Sequence, residues 1–227
     1  MIEQHVVQAS TYAADIDNLI MLVAVLGGFW FFAAQGMFFW LLYRFRERPG
    51  HKAQYVTGDE KELKQWVSIP HMLIILCDVA IIVGAVMVWM NVKQTLPEPD
   101  RTIRVVAQQW AWTFVQPGPD GELDTEDDIT TTDELHVEVG QVYHYQLEST
   151  DVLHDFSVPV FRLKQDAVPG RRIVGWFEPI VTGEHDIQCA EMCGIGHGAM
   201  AARIFIETPE QHAQWMRSRG DAVAAAD

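Results

Sequence analysis

Two apolar runs in the first 90 residues constrain this 227-residue chain more than any other feature. Leu19–Tyr43 reads LIMLVAVLGGFWFFAAQGMFFWLLY, 25 residues without a charge, Gln35 being its one strongly polar side chain. Val67–Met90, VSIPHMLIILCDVAIIVGAVMVWM, is of similar length and carries one carboxylate, Asp78, near its middle. At 1.5 Å per residue, either run as a helix crosses a hydrocarbon layer ~30 Å thick with some tilt. One such run can be a buried core helix, but two in so short a chain predict a transmembrane hairpin. The segment between them holds Arg44, Arg46, Arg48, Lys52, Lys61 and Lys64, whereas residues 1–18 hold no Lys or Arg. The positive-inside rule therefore predicts a cytoplasmic loop, with both termini outside. A cleaved leader is the weaker reading of the first run, whose N-terminal flank lacks a basic residue and whose apolar stretch is long for that purpose. Asp78 is costly against lipid, so it points either to further membrane protein beside the hairpin or to a local polar partner. His71 and Cys77 read as ordinary helix-packing residues.

Beyond Pro97 and Pro99 the pattern changes to short alternating stretches. Ile103 and Val105, then Leu135, Val137 and Val139, alternate with polar residues, and Gly140-Gln141 leads into Tyr143, Tyr145 and Leu147. Further strands are expected at Val152–Val158, Arg172–Phe177, Glu184–Gln188 and Ala201–Glu207, with no long amphipathic helix between Asp100 and Thr208. About 110 residues of this kind predict a sandwich or Greek-key barrel. Thr208-Pro209-Glu210-Gln211 then offers an N-cap, a proline at the first helical position and a capping-box glutamine, predicting a helix to about Arg219 and a tail over Asp221–Asp227. The acidic stretch Pro117–Glu134 (Asp120, Asp124, Glu126, Asp127, Asp128) lacks the spacing of a twelve-residue calcium loop and reads as a solvated turn. Residues 92–227 as a whole carry 10 basic against 23 acidic side chains, a net charge of −13. That charge repels nucleic acid and anionic membrane surfaces and leaves a basic protein or a cation as partner.

The chemistry concentrates in Cys189-Ala-Glu191-Met-Cys193-Gly-Ile-Gly-His197-Gly-Ala-Met200, where two thiols, an imidazole and a thioether share twelve residues. Soft sulfur ligands with imidazole suit copper better than hard cations, and the thioether argues against zinc. Gly194, Gly196 and Gly198 let the loop curl so that its side chains converge. A disulfide between Cys189 and Cys193 is the bland alternative, but a disulfide needs no His or Met at fixed offsets. One more ligand should come from elsewhere. His154 in Val-Leu-His-Asp-Phe-Ser-Val-Pro is the best candidate. His185 rivals it because it shares a strand face with Cys189, and His136 and His144 read as surface histidines.

His154 followed 35 positions later by Cys189-x-Glu191-x-Cys193-x-x-x-His197-x-x-Met200 resembles the dinuclear copper A site of cytochrome c oxidase subunit II, in the haem–copper oxidase family. Leu163–Arg171 (LKQDAVPGR), the Gln109-Trp110-Ala111-Trp112 segment and the hairpin-then-barrel order resemble that family too. The resemblance implies a two-helix transmembrane hairpin followed by an all-β cupredoxin-like Greek-key barrel. Residues 1–95 would form the tail and hairpin, 96–208 the copper A domain outside the bacterial plasma membrane, and 209–227 a C-terminal helix and tail. It implies that Cys189 and Cys193 bridge two copper ions, that His154 and His197 each terminate one, and that Met200 and the Glu191 carbonyl are weak ligands. The Glu191 carboxylate would hold Mg²⁺ or Mn²⁺ against subunit I. Trp110 would receive electrons from cytochrome c, and the copper centre would pass them to haem in subunit I, where oxygen is reduced to water with proton translocation.

This chain departs from the family pattern at Ala111, where an aromatic usually separates the two tryptophans, at Leu63, where many relatives carry glutamate with Glu60 and Glu62 nearby, and in the acidic insertion Pro117–Asp128. A quinol oxidase subunit is expected to lack the copper ligands. A nitrous oxide reductase is expected to carry tryptophan at position 191 and a large extra domain. From another class, a membrane-anchored copper chaperone could use Cys-x-x-x-Cys with a distant His, but that family is thioredoxin-like and does not need Met200. No Cys-x-x-Cys-His occurs, so no c-type haem attachment is expected.

Overall fold

A computed structural model describes residues 6–52 and 55–224, with side chains as far as Arg219. The chain divides into two compact units, one of Asp17–Trp89 and one joining the N-terminal segment up to Ile16 with everything from Met90 onward.

The first unit is the helical pair α1 (Ala13–Arg44, its first residues belonging to the other unit) and α2 (Lys61–Trp89). Both are long and apolar enough to cross a membrane. Most of their large apolar side chains are exposed, which is costly in water and favourable in lipid. Where they pack, Leu19 and Leu22 lie over Gly84, leaving room for no more than a Cβ, and the Trp30 indole N–H donates to Cys77 Sγ at 3.4 Å. Cys77 is thus a packing residue, as expected.

Among the described residues, ten strands form the body of the second unit: β1 (Arg101–Gln108), β2 (Ala111–Gln116), β3 (Ile129–Thr132), β4 (Glu134–Glu138), β5 (Tyr143–Ser149), β6 (His154–Val158), β7 (Leu163–Ala167), β8 (Ile173–Phe177), β9 (Gly183–Cys189) and β10 (Ala201–Glu207). They form two five-stranded sheets, ordered β3-β2-β1-β5-β8 and β4-β10-β9-β6-β7. β1 runs parallel to β5 and β4 to β10, so the strands return by Greek-key connections rather than by hairpins alone. One core joins the sheets, with Trp112, Phe114 and Tyr145 from the first against Phe156, Ile187 and Ile204 from the second. Each such side chain stabilises the fold by ~1.5–3 kcal/mol relative to exposure.

The alternating stretches fall on β1, β4, β5, β6, β8, β9 and β10 as expected. The structure adds β2, β3 and β7. β3 lies inside the stretch read as one acidic turn, so the turn proper ends at Asp128. Its carboxylates serve the loop itself. Arg104 donates to both oxygens of Asp124 at 2.7 and 2.8 Å, Asp128 accepts from the Asp124 N–H, and Asp127 from Thr125 and the Asp120 N–H.

Val6–Tyr12, expected to be a tail of the hairpin, packs on the barrel. Ala9 exchanges backbone hydrogen bonds with Val160 and Ile180, Ser10 Oγ donates to the Phe161 carbonyl, and the Tyr12 hydroxyl to that of Trp176. At the other end, α3 (Pro209–Ala224) starts with the expected box. Thr208 N–H donates to Gln211 Oε1 at 3.0 Å, and Gln211 N–H to Thr208 Oγ1 at 3.4 Å. The helix runs past Arg219 to Ala224, so the expected tail is helical over Asp221–Ala224, and only its last three residues lie outside the described ones.

Candidate metal centre

β9 ends at Cys189, β10 begins at Ala201, and the loop between them closes through a hydrogen bond from the Cys189 N–H to the Met200 carbonyl. Turns at Gly194–His197 and Gly196–Ala199 coil the loop back over its own start. Across the sheet, β6 pairs with β9 in the register Phe156↔Cys189. His154, two residues before Phe156 on the same strand face, therefore reaches over the loop from beyond the end of β9.

Six donor groups converge there. Cys189 Sγ lies 3.7 Å from Cys193 Sγ and 3.9 Å from His154 Nδ1. Cys193 Sγ lies 3.6 Å from His197 Nδ1 and 3.7 Å from Met200 Sδ, while Met200 Sδ is 3.1 Å from His154 Nδ1. The Glu191 carbonyl sits 3.2 Å from Cys189 Sγ. Both thiols are free, their separation being far beyond the ~2.05 Å of a disulfide. His154, Cys189 and Cys193 form the one three-residue group of His, Cys and carboxylate donors able to hold a metal ion among the described residues.

His154, Cys193 and Met200 are 0 to 2% exposed and Cys189 8%, so water is largely excluded. Burial raises the Cys193 pKa, and the adjacent Cys189 thiol raises it further. Cys193 therefore keeps its proton at neutral pH in the metal-free chain. Two soft sulfurs in a dry pocket, a thioether and inward-facing imidazole nitrogens fit copper rather than a hard cation.

Asp151, which the sequence reading passed over, orients His154. Its Oδ1 accepts a hydrogen bond from His154 Nε2 at 2.8 Å and one from the Val152 N–H at 2.6 Å, and its Oδ2 accepts from the Gln109 N–H at 2.6 Å. Burial alone would raise the Asp151 pKa, but these hydrogen bonds outweigh it and lower it. With the carboxylate ionised, Nε2 is the protonated nitrogen of His154, and the Nδ1 lone pair faces the sulfurs. Behind the site, Asp155 lies opposite Asp166 across β6 and β7. Burial, then the Asp166 charge, lifts the Asp155 pKa to about 6.

The two tryptophans take different places. Trp112 is fully buried, edge-on to His154 and Phe156. Trp110 is 39% exposed on the β1–β2 turn. Its indole N–H and the Gln109 side chain both donate to the Cys193 carbonyl, at 3.3 and 2.8 Å. Gly196 is what lets the ring lie on the loop, because a Cβ there would fall 2.4 Å from Trp110 Cδ2. Met192 and Ile195, 71% and 98% exposed, add an apolar surface beside it that the sequence reading did not single out.

The other histidines are set apart. His185 is four residues from Cys189 along β9, ~13 Å at strand rise, so it shares a face but not the site. His136 is not a surface residue. It is buried between Phe205 and Trp215, stacked at 4.5 and 4.3 Å, and its Nδ1 meets Glu207 at 2.8 Å. α3 folds over β4 and covers a face that strand alternation alone marks as polar. His144 is half-buried and bonded to the Pro97 carbonyl. The Glu191 side chain is exposed outside the cluster.

A family model, cytochrome C oxidase subunit II, periplasmic domain, matches residues 125–208. The alternative cytochrome c oxidase subunit 2 of Bradyrhizobium diazoefficiens is 31% identical over 226 residues, covering 90% of this chain and 80% of that protein. Cytochrome c oxidase subunit 2 of Cereibacter sphaeroides is 28% identical over 210 residues, covering 79% and 68%. Among solved structures, the periplasmic domain of subunit II of cytochrome oxidase of Bradyrhizobium japonicum superposes with a TM-score of 0.51 at 27% identity, covering 57% of this chain and 99% of that one.

Proposed function

The chain belongs to the cytochrome c oxidase subunit II family, subunits of a haem–copper oxidase, and from that premise we propose that it is the electron-accepting subunit of a bacterial terminal oxidase. The observation that carries the reading is the convergence of His154, Cys189, Cys193, His197, Met200 and the Glu191 carbonyl on one dry pocket with its two sulfurs unjoined. A pair of copper ions held by these residues would supply a one-electron store, so that little of the surrounding protein rearranges when it gains or loses an electron.

The chain's own residues prepare that centre. Cys189 and Cys193 would hold the metal as thiolates, and the glycine-containing loop keeps their sulfurs 3.7 Å apart. His154 is kept in the ligating tautomer by Asp151, with Met200 beside it, while His197 stands against Cys193. Trp110 lies on the surface with its indole donating to the Cys193 backbone, which supports it as the residue where electrons arrive from cytochrome c. Met192 and Ile195 give that donor an apolar contact, and the acidic domain draws its basic face, an effect that salt weakens. The exposed Glu191 carboxylate would take Mg²⁺ or Mn²⁺ at the contact with subunit I, a hard ligand for a hard ion. In this reading the hairpin anchors the barrel on the periplasmic side of the plasma membrane, and subunit I receives the electrons and reduces oxygen.

A membrane-anchored copper chaperone is the second reading, and it predicts one labile ion. The deciding measurement is electron paramagnetic resonance of the copper-loaded chain. A seven-line mixed-valence signal is expected, lost in Cys189→Ser. A four-line pattern from an isolated Cu(II) in the intact protein would overturn the assignment.

A further inference from the structure

We infer that the flank of α2 bearing Lys64, His71 and Asp78 is the seam along which the hairpin meets a transmembrane helix of another subunit, and that this helix presents a hydrogen-bond donor or a cation to the Asp78 carboxylate. The inference rests on the proposed function only in taking the chain to work inside a membrane complex.

Helical positions seven apart fall within ~20° of each other, so Lys64, His71 and Asp78 form one stripe. It is not the face turned to α1. The half-buried residues of α2 include Leu63, Pro70, Cys77, Ile81, Gly84, Ala85 and Val88, a row centred ~95° further round the helix, with Ala85 at its edge nearest Asp78. The opposite flank, with Leu76, Ala80 and Met87, is apolar. At 1.5 Å per residue Asp78 lies ~16 Å from Val67 and ~18 Å from Met90, near the middle of the apolar run, and His71 ~6 Å inside its cytoplasmic edge. Both side chains are exposed on the hairpin, and among the described residues neither has an ion pair or hydrogen bond.

A carboxyl group at that depth must find a donor, and the helix's own N–H groups are already used within α2. A second copy of this chain meeting it through the same flank would not supply it, since a carboxylate there offers only acceptors. Copies inserted in the same sense place every residue at the same depth, so Asp78 would meet Asp78 and His71 would meet His71. A different helix carrying a hydroxyl, Lys or Arg at mid-membrane complements the stripe, and Lys64 and His71 continue the contact toward the cytoplasmic side.

The test uses the assembled oxidase, purified in mild detergent through a tag on another subunit. With Asp78→Leu, the share of this chain retained should fall by about threefold, the factor a transmembrane side-chain hydrogen bond commonly contributes. Asp78→Asn, which keeps an acceptor oxygen, should lose less. A Leu variant retained as well as the wild type, or better, places Asp78 against lipid and overturns the inference. Independently of stability, Ile82→benzoylphenylalanine, on the Asp78 flank, should crosslink to another subunit on irradiation. Met87→benzoylphenylalanine, on the opposite flank, should not, although the two positions are 60% and 63% exposed on the hairpin. A crosslink from Met87 alone, or from Ile82 to a second copy of this chain, overturns the seam. The seven-line copper signal of the same wild-type preparation separates the two readings. Its absence counts against the proposed function whatever the crosslinks show, and its presence without an Ile82 crosslink counts against the seam alone.

Discussion

Asp151→Asn tests how the fold prepares the proposed metal centre. Asp151 uses both oxygens, Oδ1 toward His154 Nε2 and the Val152 N–H, and Oδ2 toward the Gln109 N–H. An amide offers one acceptor oxygen. If that oxygen faces His154, the NH₂ meets the Gln109 N–H donor to donor and loosens the turn that carries Trp110. If it is reversed, the NH₂ faces Nε2, the imidazole proton is driven to Nδ1, and the nitrogen aimed at the sulfurs can no longer ligate. Either way a charge-assisted hydrogen bond of ~1.5–3 kcal/mol is lost or misdirected. Each ~1.4 kcal/mol is tenfold, so copper affinity should fall ~10- to 100-fold, the range found for partners of metal-binding histidines. The assay is copper competition against a chromophoric chelator with the detergent-solubilised chain, alongside thermal unfolding of the metal-free protein. Asp151→Ala, which removes both acceptor oxygens and the three hydrogen bonds they take, should also unfold more readily than Asp151→Asn. An Asn variant with wild-type affinity and an unchanged resonance signal refutes the claim that Asp151 orients His154.

Three further outcomes are expected. In the metal-free chain the sulfurs of Cys189 and Cys193, 3.7 Å apart, should close to a disulfide under mild oxidant and lose copper binding until reduced; two titratable thiols persisting after oxidation would contradict the geometry. Gly196→Ala should push Trp110 off the loop and slow reduction by cytochrome c at least ~10-fold with the copper signal intact, whereas Trp112→Ala should destabilise the barrel by ~3–5 kcal/mol. Stopped-flow reduction and thermal unfolding distinguish the two, and equal effects of both variants on stability would sink the distinction. Burial lowers the His212 pKa, and Glu207 offsets this only in part. The folded state therefore binds fewer protons there than the unfolded one, and the docking of α3 is at full strength above pH ~6.5 and weakens as pH falls below it. Limited proteolysis of α3 across that range should show the loss, absent in His212→Gln; pH-independent protection of the wild type would contradict it.

The spans, the barrel class and most strands were legible because each is written in a local period. Strands were missed where another signal covered the alternation. β2 sat inside a tryptophan motif, β3 inside an acidic stretch whose threonines look like turn residues, and β7 inside a second motif. Of the histidines, His136 was misplaced because only the return of α3 over β4 buries it, and alternation cannot report a third layer. His185 stayed a rival because a shared strand face says nothing about distance along the strand. Asp151 carried a usable sign, an aspartate three residues before a candidate ligand, but its partner Gln109 is 42 positions away.

From sequence alone came the two membrane-length runs and the loop that supplies Cys189, Cys193, His197, Met200 and the Glu191 carbonyl, since covalent spacing within twelve residues already holds those groups near one another. Tertiary structure decided the rest. The β6–β9 register brings His154 to the sulfurs, the turn joining Asp151 to Gln109 sets the imidazole, and Trp110 stays at the surface while Trp112 enters the core. Residues far apart in the chain meet only where strand pairing fixes which of them share an edge.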